Sequence, residues 1–276
     1  MITLKGKSNA IYKPEFIEFS DGSINVQLPE IEEYISSVNW FLEDSAKDAI
    51  KLVLVLDAMS WMGVTGGTTL HLPYLPEARA DRVFKKGNAH PLENTICWLS
   101  SLGFNEVICY DVHSEEALKL SNQYGLNLIN QEQHSIVTDQ FKAKMKNTVI
   151  VSPDKGASEK SKKVADKLKT TMIQADKERC LETGKIVSVD VPKGDYTDMS
   201  FTICDDICDG GGTFLPIAQQ LKSMGAKEVN LYVTHGIFAK GLEIFEEYID
   251  KLFVTNIVCS YVTTHDIQKF NLRKER

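Results

Sequence analysis

No apolar run in this sequence is longer than a few residues, which excludes a membrane-spanning helix of about 20 residues. No two cysteines stand at C-x-x-C spacing, so the commonest redox and zinc signatures are missing. Basic residues are not in excess: 31 Lys and Arg face 38 Asp and Glu, a net charge of -7. A nucleic acid held by a broad basic surface is therefore not expected, and any polyanionic ligand must be met by local donors. The opening MITLKGKSNAIYKPEF has no uninterrupted apolar core, so neither a secretory leader nor a membrane partner is expected. Low-complexity stretches are missing as well. Most of the six cysteines sit in apolar runs such as TICWL, VICYD and NIVCSYV, where a thiol acts as a small hydrophobe. Cys180, after a Lys-Glu-Arg run, reads as a surface thiol. A reducing, cytoplasmic setting is the expectation.

What is present is ordinary in bulk and specific in order. The 276 residues, 43% hydrophobic and 25% charged, suffice for two compact α/β units. Strand-like runs alternate with helical patterns, the signature of parallel α/β architecture. Expected strands are SINVQL, KLVLVLDA, GGTTLHLPYL, EVICYDVH, TVIVSPD, GKIVSVDV, SFTICDDI, EVNLYVTHG and LFVTNIV. Helices are expected near 91–102, 114–123, 156–168, 214–224 and 239–250, with Gly225 as a C-terminal stop. The lysines of 156–168 read as a solvated face around Val164 and Leu168. The stretch from 125 to 146 reads as the least structured, which puts the domain boundary near 140: 1–140 and 141–276. Several expected strands end in Asp57, Asp111, His113, Asp154, Asp205, Asp206 or His235. Ligands of open parallel sheets gather beyond those ends.

The sharpest feature is Phe201-Thr-Ile-Cys-Asp-Asp-Ile-Cys-Asp-Gly-Gly-Gly-Thr213. An apolar strand delivers Asp205 and Asp206, then Asp209, a run of glycines and Thr213 opening a helix. Gly210, Gly211 and Gly212 let backbone N–H groups approach a phosphate without Cβ obstruction. The helix N-terminus adds donors and partial positive charge. The two acids can reach ribose hydroxyls or, through water, a magnesium ion. The bland alternative is an acidic turn capping a helix, and it leaves the order of these parts unexplained.

This segment resembles the ribose-phosphate loop of ribose-phosphate pyrophosphokinases and of the wider type I phosphoribosyltransferases. Other stretches match the pyrophosphokinases in order, over roughly 19 to 258. Phe19-Ser-Asp-Gly-Ser-Ile-Asn-Val-Gln27 is similar to the segment that contacts the ATP base across a subunit interface, implying roles for Phe19 and Asp21. Pro73-Tyr-Leu-Pro-Glu-Ala-Arg-Ala-Asp-Arg82 is similar to the ATP-binding arginine motif, implying Arg79, Asp81 and Arg82. Asp111-Val-His113 looks like the Asp-Leu-His metal site, and Val151-Ser-Pro-Asp154 like the second metal-facing strand end. His113 would touch both ATP and magnesium, and Asp154 magnesium. Lys177-Glu-Arg179 matches the catalytic loop, and Thr234-His-Gly-Ile-Phe238 a strand end near the sugar phosphate. Alone, Lys-Glu-Arg is usually a helix-surface run and Asp81-Arg82 a surface ion pair worth little. Their common order lifts the functional reading.

The resemblance implies an α/β fold of two phosphoribosyltransferase-like domains, each a mainly parallel sheet flanked by helices. It implies a homo-oligomer with the active site between the two halves and completed by a partner subunit. It implies ATP as co-substrate, Mg2+ as cofactor, and a phosphorylated ribose as acceptor. The departures are local. Ser23 replaces an acid, Ala80 a glutamine, and Ser-Glu-Glu-Ala follows His113 where an aromatic, Gln-rich stretch is usual. The usual hexamer and its regulation are therefore not carried over. In the loop, Asp-Thr-x-Gly-Thr has become Asp209-Gly-Gly-Gly-Thr213, which loses a hydroxyl and gains space. Two acceptors are expected to compete: ribose 5-phosphate, and the larger ADP-ribose used in NAD salvage by short divergent members. A silent regulatory subunit and a phosphoribosyltransferase that consumes the activated sugar remain the alternatives.

Overall fold

The computed structural model describes residues 1–42, 45–137, 139–145, 147–179, 186–258 and 262–274. The chain divides into two compact units, Met1–Gln131 and Glu132–Arg276. The boundary expected near 140 lies inside the second unit, in a helix.

The first unit runs β1 (Ile2–Gly6), β2 (Ile11–Tyr12), β3 (Glu15–Glu18), β4 (Ile24–Gln27), β5 (Ile35–Trp40), α1 (Ser45–Trp61), β6 (Thr69–His71), α2 (Pro91–Ser101), β7 (Glu106–Tyr110), α3 (Glu115–Gln123) and β8 (Leu128–Gln131). Among the described residues its main sheet has the order β2-β1-β5-β6-β7-β8. Strands β5 to β8 are parallel, and β1 runs antiparallel to β2 and β5. The run KLVLVLDA, expected as a strand, lies inside α1, so Asp57 is not at a strand end. Leu52, Val55 and Met59 are buried at helical spacing, which a strand could not do. The cluster they join includes Leu4, Val38, Trp40, Leu70, Ile96 and Val107.

The second unit runs α4 (Gln133–Ile136), α5 (Asp139–Lys144), β9 (Thr148–Ser152), α6 (Ser158–Leu168), β10 (Met172–Gln174), β11 (Asp176–Arg179), β12 (Ile186–Asp190), β13 (Ser200–Cys208), α7 (Phe214–Ser223), β14 (Glu228–Gly236), a 3-10 turn (Glu243–Phe245), β15 (Lys251–Ile257) and α8 (Thr264–Lys274). The stretch from 125 to 146, expected to be the least structured, carries β8, α4 and α5. The helix expected over 239–250 is only the 3-10 turn, because Gly241 adopts φ +76°. Helix α7 ends where expected, with Gly225 at φ +93° just past it.

The main sheet here has the order β10-β9-β13-β14-β15 and every pair is parallel. Alternate side chains feed two cores on opposite faces. Ile150, Cys204 and Tyr232 meet Val164 and Ala165 of α6, while Val151, Ile203 and Leu231 meet Ile217 and Leu221 of α7. From β9 the chain crosses to β10 on one side, and from β13 to β14 on the other. Strands β9 and β13 therefore flank a topological switch point, where an open sheet parts into a crevice at its carboxyl ends. Of the cysteines, Cys109, Cys204 and Cys208 are buried as expected; Cys97 is exposed, and Cys180 and Cys259 lie outside the described residues. Among the described residues, no helix is long and apolar enough to cross a membrane.

Candidate active site

The switch point of the second unit gathers most of the expected residues. Asp154 follows the end of β9, and its Oδ1 accepts from the Ala157 amide at 3.0 Å. Its other oxygen is ion-paired with the Lys177 ammonium, delivered by β11. Burial alone would push this carboxyl up, but Lys177 and the Ala157 and Gly156 amides outweigh it and hold it below the usual carboxylate range. Arg179 also lies on β11, paired antiparallel with β12; its side chain is outside the described residues.

The strand paired with β9, β13, carries the acids near its carboxyl end. Burial first, then the adjacent Asp206, pushes Asp205 well above the ordinary carboxylate range; Asp154 adds to this from nearby. The acids of β9 and β13 are thus within electrostatic reach of one another. Asp205 Oδ1 accepts from the Asp206 amide at 2.9 Å. Asp206 is buried and lies 3.7 Å from the Lys160 ammonium. The solvated face expected for α6 holds at Glu159, Lys162, Asp166 and Lys167, which are exposed around buried Val164; Lys160 departs from it toward Asp206, and Lys163 pairs with Glu132 at 2.8 Å. Buried Gln133 was also missed. Its Nε2 donates to the Asp205 carbonyl and, at 3.1 Å, to Thr234 Oγ1, tying the ends of β13 and β14 together. Neither Lys160 nor Gln133 has a local signal, since each partner is distant in sequence.

Asp209, Gly210, Gly211, Gly212 and Thr213 turn the chain from β13 into α7. Gly211 has φ +71°, and a methyl group there would stand 2.9 Å from the Phe245 ring. Its carbonyl accepts the Phe214 and Leu215 amides, each at 3.0 Å, which starts the helix. Around Gly212 the space is open, with no described atom within 4 Å of an added methyl. The cradle is therefore packed beneath and clear above. Thr213 occupies the N-cap position without a side-chain cap bond, which leaves its hydroxyl available for a ligand.

The raised carboxyl makes a prediction. A folded-state acid whose value lies above its ordinary 3.8 binds a proton that the unfolded chain has already lost. Stability then falls as pH rises from about 4 through that folded value. Asp205→Asn is expected to raise the melting temperature, by more at pH 8 than at pH 5. A lowered melting temperature at both pH values would contradict this.

The first unit gathers a smaller group. Asp111 is buried at φ +41°, with its amide donating to the Gln131 carbonyl at 2.8 Å and the Val112 amide to Asn130 Oδ1 at 3.0 Å. This constrained turn sets out the exposed His113. Asp81 pairs with Arg82 at 2.9 Å. That guanidinium, against partial burial, holds Asp81 below the usual range, with help from the Ser114 hydroxyl and the His113 ring. Asp81, Arg82 and His113 are thus brought together, and exposed Arg79 stands on the same segment. Phe19 and Asp21 are not part of that group. They cap the separate β3–β4 hairpin, where Asp21 accepts from the Ser23 amide at 2.9 Å and Phe19 is half exposed.

Among the described residues, no three His, Cys, Asp or Glu side chains are grouped to hold a metal ion. A closed zinc-type site does not fit this donor set. A hard cation such as magnesium does, because it keeps its waters and takes only one or two carboxylates besides substrate phosphates. Asp154 has the right oxygen chemistry, while the imidazole of His113 is the less usual donor.

Known proteins supply the frame for these observations. A family model described as phosphoribosyl transferase domain matches residues 129–271. The chain is 30% identical to the ribose-phosphate pyrophosphokinase of Pyrococcus abyssi, over 90% of this chain and 85% of that one. It is likewise 30% identical to the ribose-phosphate pyrophosphokinase of Haemophilus influenzae, over 87% of this chain and 77% of that one. The crystal structure of phosphoribosylpyrophosphate synthetase from Mycobacterium smegmatis matches in fold with a TM-score of 0.73 at 19% identity, covering 97% of this chain and 92% of that one. Identity of 30% to these two relatives across most of both chains, with the matching family model, means that the chain belongs to the ribose-phosphate pyrophosphokinase family and is an enzyme of that class.

Proposed function

We propose that the protein transfers the β,γ-diphosphate of ATP to the 1-hydroxyl of a 5-phosphorylated ribose and releases AMP. The observation that carries this reading is the Lys177–Asp154 pair set beside Asp205 and Asp206 at the β9/β13 switch point. The ribose 1-oxygen loses its proton and bonds to the β-phosphorus, while the bond from that phosphorus to the α,β-bridging oxygen breaks. Negative charge spreads over the phosphoryl oxygens, so positioning and electrostatics dominate. Lys177 is the cation that meets this charge, with Arg179 beside it on β11. Asp205 and Asp206 accept from the sugar hydroxyls, and the amides of Gly210 to Thr213 receive the 5-phosphoryl group. Arg79, Asp81, Arg82 and His113 serve ATP. Phe19 and Asp21, on their hairpin, serve the ATP of a partner copy in a homo-oligomer. Asp154 and His113 are the residues that would hold magnesium, which would supply charge neutralisation at the ATP phosphates.

Two acceptors fit the cradle. Ribose 5-phosphate uses the many amide donors of a phosphate loop. ADP-ribose uses the open space at Gly212, which gives its second phosphate an exit. Incubation with ATP, magnesium and each acceptor in turn, followed by AMP release, separates them. Turnover of ribose 5-phosphate alone would defeat the larger acceptor, and acceptor-independent or absent AMP release would defeat the diphosphokinase reading.

A further inference from the structure

We propose that Lys240 is an acceptor-binding residue, which sets its ammonium at the rim of the glycine cradle to meet the 5-phosphoryl group of the sugar. This rests on the diphosphokinase reading above and adds a residue that reading does not contain.

The loop after β14 is tied to the cradle through the backbone. The amides of Ile237 and Phe238 both donate to the Cys208 carbonyl, at 2.8 and 3.2 Å, immediately before Asp209. The Phe238 ring meets that of Phe245 edge to face, with centroids 5.7 Å apart, and Phe245 in turn lies beneath Gly211. The Gly241 amide closes the turn onto the Phe238 carbonyl at 2.9 Å. Lys240 is thus held on a short, packed turn against the loop it would serve.

Its stem lies along Gly210. A methyl group added at that glycine would stand 3.2 Å from Lys240 Cε, 3.4 Å from Cδ and 3.6 Å from Cγ. The lysine stem thus runs in van der Waals reach of the Gly210 position. Three methylenes against the backbone fix the ammonium near the cradle's edge, while its head stays in water.

Charge supplies the second argument. A phosphate entering here approaches Asp205, Asp206 and Asp209, on a chain whose net charge is -7. Lys177 is engaged by Asp154 and Lys160 by Asp206. Lys240 is exposed and, among the described residues, makes neither an ion pair nor a hydrogen bond. A solvated lysine with its stem ordered and its charge unspent is suited to a dianion, as a point charge rather than a fork. The ordinary alternative is that Lys240 only shields Gly210, and the two readings differ in what charge removal does.

The test uses the full-length protein with Lys240→Met, which keeps the stem, and Lys240→Arg, which keeps the charge. With ATP and magnesium present, Lys240→Met is expected to raise the KM for ribose 5-phosphate about tenfold, as loss of a charge-assisted contact does, and the KM for ADP-ribose by less, because each of its phosphates carries a single charge. The KM for ATP and kcat should stay within about twofold, and Lys240→Arg should recover most of the loss. Calorimetric titration of each acceptor into ATP-free enzyme should show the same weakening. An unchanged acceptor KM and Kd in Lys240→Met, or a shift in the KM for ATP instead, overturns the proposal. If the wild type releases no AMP, the diphosphokinase reading fails, while the calorimetric comparison still decides Lys240. Absence of binding by either acceptor to the wild type would overturn both.

Discussion

Replacing Lys177 by alanine is expected to cut kcat for AMP release by about a hundred- to a thousandfold, the usual cost of removing one preorganised donor from a charged transition state. The acceptor KM should move far less, because the proposed sugar site is the cradle between β13 and α7. Lys177 is only 11% exposed and its ammonium is spent on Asp154, so the substitution also leaves that carboxylate without its main partner. Asp154 would then drift up toward the ordinary carboxylate range, since burial already pushes it that way. Steady-state AMP release measured from pH 5 to 9, beside a melting curve, separates the two effects. A loss of less than tenfold with an unchanged melting temperature would remove Lys177 from the chemistry.

The second large effect concerns the glycines, which are not equivalent. Gly211→Val is expected to destabilise the second unit by about 3 kcal/mol, from a left-handed backbone that a β-branched residue resists and from overpacking against Phe245. A fall of roughly 10 °C in melting temperature would follow for a domain of this size. Gly212→Ala makes the contrast. Its methyl enters open space, so stability should change by less than about 1 kcal/mol. On the proposed reading that methyl stands where the acceptor phosphate enters, so acceptor affinity should fall by tenfold or more. Thermal melts with and without acceptor check both variants. Equal destabilisation by the two would contradict the picture of a cradle packed below and open above.

The order of motifs could be read from the sequence because each has a local cause. Phe201 to Thr213 declares itself through an apolar run, then acids, then glycines, and every part is a neighbour of the next. Strands with β-branched runs, such as Thr148–Ser152 and Glu228–Gly236, were legible for the same reason. The run 51–58 misled because α1 is apolar nearly all round. Ile50, Val53 and Trp61 are exposed while Leu52, Val55 and Met59 are buried, so no polar face marks the helix. The opening strand Ile2–Gly6 and the central Ile35–Trp40 went unread. Lys160, Gln133 and Lys240 could not be found at all. Each takes its meaning from a partner far along the chain, and only the parallel pairing of β9, β13 and β14 brings them there.

Two lysines of opposite circumstance now frame the second unit: Lys177, half-buried and paired with Asp154, and Lys240, exposed along Gly210. The first is assigned to chemistry, the second to binding, which is why one variant should move kcat and the other KM. Asp205, held protonated longer than an ordinary carboxyl, is the residue at which the site's demands oppose stability.

The most direct measurement is the phosphorus spectrum of the product formed from ATP, magnesium and the turned-over acceptor. Transfer of an intact diphosphate predicts two coupled phosphorus signals on the sugar's C1 oxygen, formed in step with AMP. A single phosphoryl signal accompanied by ADP would contradict the account.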